Sequence, residues 1–156
     1  MKWTTEDVKT YLDAREYVDT AVLPLVPVSF GSEMKNHVSM GEFITVICDE
    51  VEKQFKGRVF QVPPFTYMSD EDLDTRIERL EKWVSVMREQ GLKYVFFVTS
   101  DHEWKKKEGD LRNMLIWMPV IPFEHLDMAY RKQIISEQIK QLLPLMVDKW
   151  KSNPSE

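Results

Sequence analysis

From Ala21 to Val28 the chain reads Ala-Val-Leu-Pro-Leu-Val-Pro-Val, without one polar side chain. The run is too short to cross a bilayer. It is also too continuous for a strand with one wet face, because such strands alternate apolar and polar residues. It predicts a strand buried on both faces, and that requires helices on both sides of a sheet. Pro24 and Pro27 lack the amide that a strand ladder uses, so at least one side of this strand is expected to be only partly paired. Three further strands are expected: Arg58 to Val62, ended by Pro63-Pro64, then Tyr94 to Val98, then Met114 to Met118.

Helix-period segments separate these runs. Glu6 to Tyr17 follows a cap at Thr4 or Thr5, with Glu6 and Asp7 suited to the positive end of the helix dipole. Ser39 and Glu42 have capping-box spacing, and Phe43, Ile44, Ile47, Cys48, Val51 and Phe55 share one side of the helix that follows. Glu52 falls mostly on its polar side. Ser69 or Asp72 caps a third helix, in which Leu73, Ile77, Leu80, Val84 and Met87 recur at steps of four and three. A final helix starts near Leu126 and is expected to kink or break at Pro144. The charged stretch Ser100 to Arg112 is too short for a packed crossover helix and reads as a long loop or hairpin tip. The fold class is therefore α/β, in three layers. A mostly parallel four-stranded sheet carries helices on both faces, and its last strand is expected to be antiparallel. Residues 1–150 read as one domain, with 151–156 as a frayed tail.

Composition narrows the function. A net charge of −5 argues against nucleic acid, since phosphate contacts need clustered Lys and Arg. Lys105-Lys106-Lys107 sits among acids and reads as a solvated loop. The first residues hold no apolar signal core, and the apolar stretches 21–30 and 114–123 are each about half a membrane span. The one cysteine, Cys48, excludes an intramolecular disulfide and lies on an apolar helix face, where it is core rather than nucleophile. A reducing compartment is expected, most simply the cytosol.

In sheets of this kind, ligands bind beyond the carboxyl ends of the strands. Three segments are expected there: Ser29 to His37, Pro63 to Tyr67, and Thr99 to Glu103. They carry Glu33, His37, Asp101, His102 and Glu103, and these five are the candidate pocket. Imidazoles and carboxylates together can hold zinc or manganese, and a bound metal activates water for hydrolysis. Glu33, His37 and His102 are the candidate ligands, with Asp101 or Glu103 left as a general base. There is no His-Glu-x-x-His, no dinucleotide or phosphate-loop glycine spacing and no Gly-x-Ser-x-Gly elbow. An anion on the second helix's N-terminus is opposed by Glu42. Trp104, alone among charges, either covers the strand ends or marks a contact surface.

Several blocks resemble the YpiF family of small bacterial proteins of unknown function. They are Met1 to Thr4, Glu16 to Ala21, Pro24 to Val28, Gly31 to Lys35, Gly41 to Phe43, Gln54 to Arg58 and Pro64 to Tyr67. That resemblance implies an accessory role in respiration, linked to menaquinol–cytochrome c reductase. More remotely, Pro24 to Val28, Glu33, His37 to Gly41 and Val59 to Pro64 are similar to the start of creatininase-type amidohydrolases. Glu33 matches that family's metal-binding glutamate, but Lys35 and Phe43 stand where a histidine and an aspartate ligand belong. Asp101-His102-Glu103 follows a strand as the family's glycine-rich histidine segment does, without the glycines. The resemblance implies a creatininase-like fold with its metal ligands mostly replaced.

The leading expectation is a non-catalytic cytosolic binding or accessory protein, without cofactor, whose partner is a protein or small-molecule ligand. The alternative is a metal-dependent amide hydrolase of creatininase type, using zinc or manganese.

Overall fold

The computed structural model describes residues 1–112 and 114–152. The Thr4 hydroxyl accepts the Asp7 amide and starts α1 (Thr5–Asp13). This helix is shorter than expected, because the chain tightens into a 3-10 turn at Arg15–Tyr17. The apolar run forms β1 (Thr20–Val28), and α2 (Met34–Gln54) follows. Its cap position is Glu33, six residues before the expected Ser39, and no side chain caps it. A turn in which the Met34 amide bonds the Gly31 carbonyl launches it instead.

Next come β2 (Val59–Gln61) and β3 (Phe65–Met68). Pro63-Pro64 interrupts this strand rather than ending it. Both pieces run parallel to β1, in register with Thr20–Val22 and Leu25–Val28 respectively. Of the two residues expected to form its cap, Asp72 and not Ser69 caps α3 (Leu73–Glu89), by accepting the Thr75 amide.

β4 (Tyr94–Thr99) pairs with the other side of β1, and β5 (Leu115–Trp117) pairs with β4. β5 is parallel, not antiparallel. A parallel return needs a crossover of a dozen or more residues. The charged stretch supplies one, folding as a 3-10 helix at His102–Lys107 with Trp104 turned inward. α4 (Met128–Lys151) closes the chain and runs through Pro144 without ending there. Both Pro144 and Lys140, whose carbonyl loses its helical donor, are exposed, so water can take the donor's place. Of the expected tail, Lys151 is helical, Ser152 caps the helix, and 153–156 lie outside the described residues.

The sheet has five strands rather than four, in the order β2-β1-β4-β5, with β3 also beside β1. All recorded pairings are parallel. β1 is thus central, and its prolines fit for two local reasons. Pro24 lies outside the stretches of β1 that pair with β2 and β3, and Pro27 lies beyond the part paired with β4.

Side chains alternate along β1 and sort the helices into two layers. Val26 faces α2, which also contacts α4. The residues paired on the other face meet α3: Phe65 packs on Trp83, and Arg76 lies over Tyr67. The buried apolar side chains of both layers and of the sheet form one cluster. Glu52, expected on the polar side of α2, is buried instead, 3.1 Å from the Met1 ammonium.

α2 approaches β1 closely at Gly41, where an added Cβ would stand 3.1 Å from Val26 Cγ1. Gly41→Val is expected to lower stability by about 1–3 kcal/mol, because a close-packed interface resists extra methyl groups. Gly41→Ala should be milder, since alanine's helix propensity offsets about 1 kcal/mol. Thermal denaturation of the two variants tests this order.

Candidate functional site

β1 and β4 are neighbours, but the chain leaves them over opposite faces. After β1 it enters α2, on the Val26 face. After β4 it enters the 3-10 crossover, where Lys107 meets Asp74 of α3 at 2.7 Å and Trp104 packs on Phe65 and Tyr67. The carboxyl ends of β1 and β4 therefore flank a topological switch point, where open α/β sheets bind ligands. All five residues expected to line a pocket lie on the two segments that leave these strands.

Of the five, only Asp101 and Glu103 meet at a common side chain, and among the described residues Glu33, His37 and His102 do not gather. Glu33 is the residue before α2, exposed, with Oε2 3.4 Å from Asn36 Nδ2. His37 is half-buried in the first turn of α2, its Nδ1 2.6 Å from Ser29 Oγ. A serine and a histidine at this distance are two parts of a nucleophilic triad, but among the described residues no carboxylate bonds the His37 ring to orient it. His102 is exposed at the start of the 3-10 helix.

Asp101 and Glu103 belong to a cluster built around Arg76. The Arg76 side chain is 1% exposed. Its Nε and Nη2 each donate at 2.8 Å to a backbone carbonyl, of Glu71 and Ser69 respectively. The guanidinium lies 4.4 Å from the Tyr67 ring centroid and 5.8 Å from that of Trp104. Asp101 Oδ2 is 3.7 Å from Nη1, and Glu103 Oε2 is 3.8 Å from Nη2. A chain of hydrogen bonds runs through the same place. Trp104 Nε1 donates to the Tyr67 hydroxyl at 2.8 Å, and that hydroxyl donates to Asp101 Oδ2 at 2.6 Å. The other Asp101 oxygen accepts the Glu103 amide at 3.1 Å and so starts the 3-10 helix.

The chemistry of this cluster is restrained. Burial first, then the Asp101 charge, pushes the Tyr67 phenol well above the ordinary tyrosine range. Tyr67 therefore holds its proton at neutral pH and acts as a fixed donor. Asp101 takes that proton's hydrogen bond and the Arg76 charge, which together keep it in place. Among the described residues, no three His, Cys, Asp or Glu side chains gather so that they could hold a metal ion. Cys48 is fully buried, and burial pushes its thiol upward.

Arg76 and the buried side of Trp104 were not apparent as site residues from sequence. The signal for Arg76 was present: it lies three residues after Leu73 and four before Leu80, on the inward face of α3.

Tyr67→Phe is expected to cost about 1–3 kcal/mol, because it leaves the Trp104 indole N–H and the Asp101 carboxylate short of a partner. It should also flatten the alkaline limb of stability. In the unfolded chain a phenol ionises near pH 10, whereas the folded Tyr67 keeps its proton to higher pH. Its stability contribution is therefore complete below about pH 10 and declines above it. Unfolding free energies of the parent, from urea denaturation, should fall beyond pH 10 by up to about 1.4 kcal/mol per pH unit more than those of Tyr67→Phe.

The family described as "Protein of unknown function (DUF2487)" matches residues 9–150. "Uncharacterized protein YpiF" of Bacillus subtilis (strain 168) is 32% identical over 153 residues, covering 96% of this chain and 98% of that protein. This bears out the first of the two resemblances. No solved structure matches the chain.

Proposed function

The chain belongs to the DUF2487 family, and we propose that it works by binding a partner rather than by catalysis. One observation carries this reading: Asp101 and Glu103, the two carboxylates best placed to act as a base, are turned onto Arg76, and Asp101 also holds Tyr67. A carboxylate engaged in this way clamps the crossover to β3 and α3. The resemblance to YpiF-type proteins supports a finer reading, an accessory role with menaquinol–cytochrome c reductase in the cytosol. No helix among the described residues is long and apolar enough to cross a membrane. A creatininase-like ancestry with replaced metal ligands fits the same proposal, on the strength of Glu33, Lys35 and Phe43.

The test has two arms. The reductase subunits are expected to co-purify with the tagged chain, and a clean absence counts against the respiratory role. Amide hydrolysis that needs zinc or manganese and disappears in Glu33→Ala would overturn the binding reading itself.

A further inference from the structure

A second feature lies on the other face of the sheet, away from the strand ends. α2 and α4 diverge over a groove whose floor is Phe123, Ile135 and Ile139. Phe123 and the two isoleucines are buried, so the floor is continuous with the core. One wall is the α2 stripe Val46, Glu50 and Gln54, and the other is α4, with Lys132 and Lys140. Residues four apart stack on one side of a helix, so each wall presents a straight edge.

The charge on this groove runs against the rest of the chain. The whole molecule carries −5, yet the groove is lined by Arg131, Lys132 and Lys140 against a single acid, Glu50. Glu50 is already paired with Lys53 at 3.3 Å. Among the described residues neither Lys132 nor Lys140 is paired with a carboxylate. Arg131 donates to the Phe123 and Leu126 carbonyls and lies 5.6 Å from the Phe123 ring centroid, and among the described residues no carboxylate pairs with it. Lys132 and Lys140 stand eight residues apart on one helix, about 12 Å along its axis. A ligand with one anionic head could reach only one of them. An apolar floor between two rim cations two turns apart fits a helix with an apolar stripe and acids on its flanks.

We infer that the α2–α4 groove docks an acidic amphipathic helix of a partner protein. The inference rests on the binding reading above and names the surface and the chemistry of the partner. By contrast, the groove between α1 and α3, lined by Trp3, Phe60, Trp83 and Val86, has no comparable charge pattern to identify an occupant.

The probe is a fluorescent helical peptide of about 14 residues, some 21 Å long, with leucines at i, i+3, i+4 and i+7 and glutamates flanking them. Its binding to the full chain is expected to weaken as salt rises, because the rim charges are exposed. The double variant Lys132→Glu, Lys140→Glu changes two exposed side chains, and circular dichroism checks that its fold is kept. Its Kd for the peptide should rise about tenfold or more, as expected for two lost rim charge contacts. Three results would overturn the inference: an unchanged Kd in the double variant, equal binding of a peptide with lysine in place of glutamate, or binding of phosphatidylglycerol vesicles but not the peptide. Failure here alongside co-purified reductase subunits removes only this groove. Hydrolysis at the strand ends with intact peptide binding removes only the non-catalytic reading.

Discussion

Arg76→Ala is expected to lower the unfolding free energy by about 3–5 kcal/mol, read from urea denaturation. The side chain is almost fully buried, and it spans three pieces of the fold. It holds the Ser69 and Glu71 carbonyls in the β3–α3 turn, Asp101 at the end of β4, and the rings of Tyr67 and Trp104. Removing it orphans two backbone acceptors and leaves the Asp101 charge in a buried place without its cation, and each loss is destabilising. Arg76→Lys should recover only part of the loss, because a single ammonium cannot bond two carbonyls in a fixed fork and stack on a ring at once. Adding Asp101→Asn to Arg76→Ala should cost less than the sum of the two single changes, since the neutral side chain no longer needs the cation. If Arg76→Ala costs under about 1 kcal/mol, Arg76 is not a structural clamp.

The misreadings of this region from sequence have a common physical cause. Patterns report local period, and they are silent on what meets what across the sheet. The apolar run of β1, the stripe of α3 and the cap at Asp72 are local, and all three were legible. Cys48 in the core followed from the same periodicity. The direction of β5 did not follow, because it turns on whether residues 100–114 can pack as a crossover. Their charges suggest a solvated loop. Yet Lys107 is drawn to Asp74, Lys105 lies 3.8 Å from the Trp117 ring centroid, and the large apolar residues among them, Trp104, Leu111 and Met114, are all buried. Pro63-Pro64 looked like the end of a strand and is a break within a longer strand-like path, because β1 continues past it and pairs with both halves. That the candidate site's two segments leave parallel strands was legible, because strands and helices alternate along that part of the chain. Whether its side chains converge was not legible, because that depends on Arg76, which arrives from α3.

The dependence of the crossover on one residue leads to the second large effect. Trp104→Ala is expected to cost about 3–5 kcal/mol, the range for deleting a large buried aromatic side chain. Trp104 is completely buried against Phe65 and Tyr67, and its indole N–H is the first link of the chain that ends on Asp101. The vacated space cannot collapse easily, because its walls are strand side chains set by the register of β3 against β1. The loss should also be local in a way that a general core defect is not. β5 has three residues and sits at the sheet edge, joined to β4 through the crossover that Trp104 anchors. Amide exchange should therefore speed up most over 100–118, including the Met118 amide that bonds the Thr99 carbonyl, while β1 and β4 keep most of their protection. Trp104→Phe should fall between the parent and Trp104→Ala, because it keeps most of the packing and removes only the donor to Tyr67. Uniform acceleration across the sheet in Trp104→Ala would mean that the crossover is not a separately latched unit. In that case Arg76, Tyr67 and Asp101 would stabilise the molecule as undivided core.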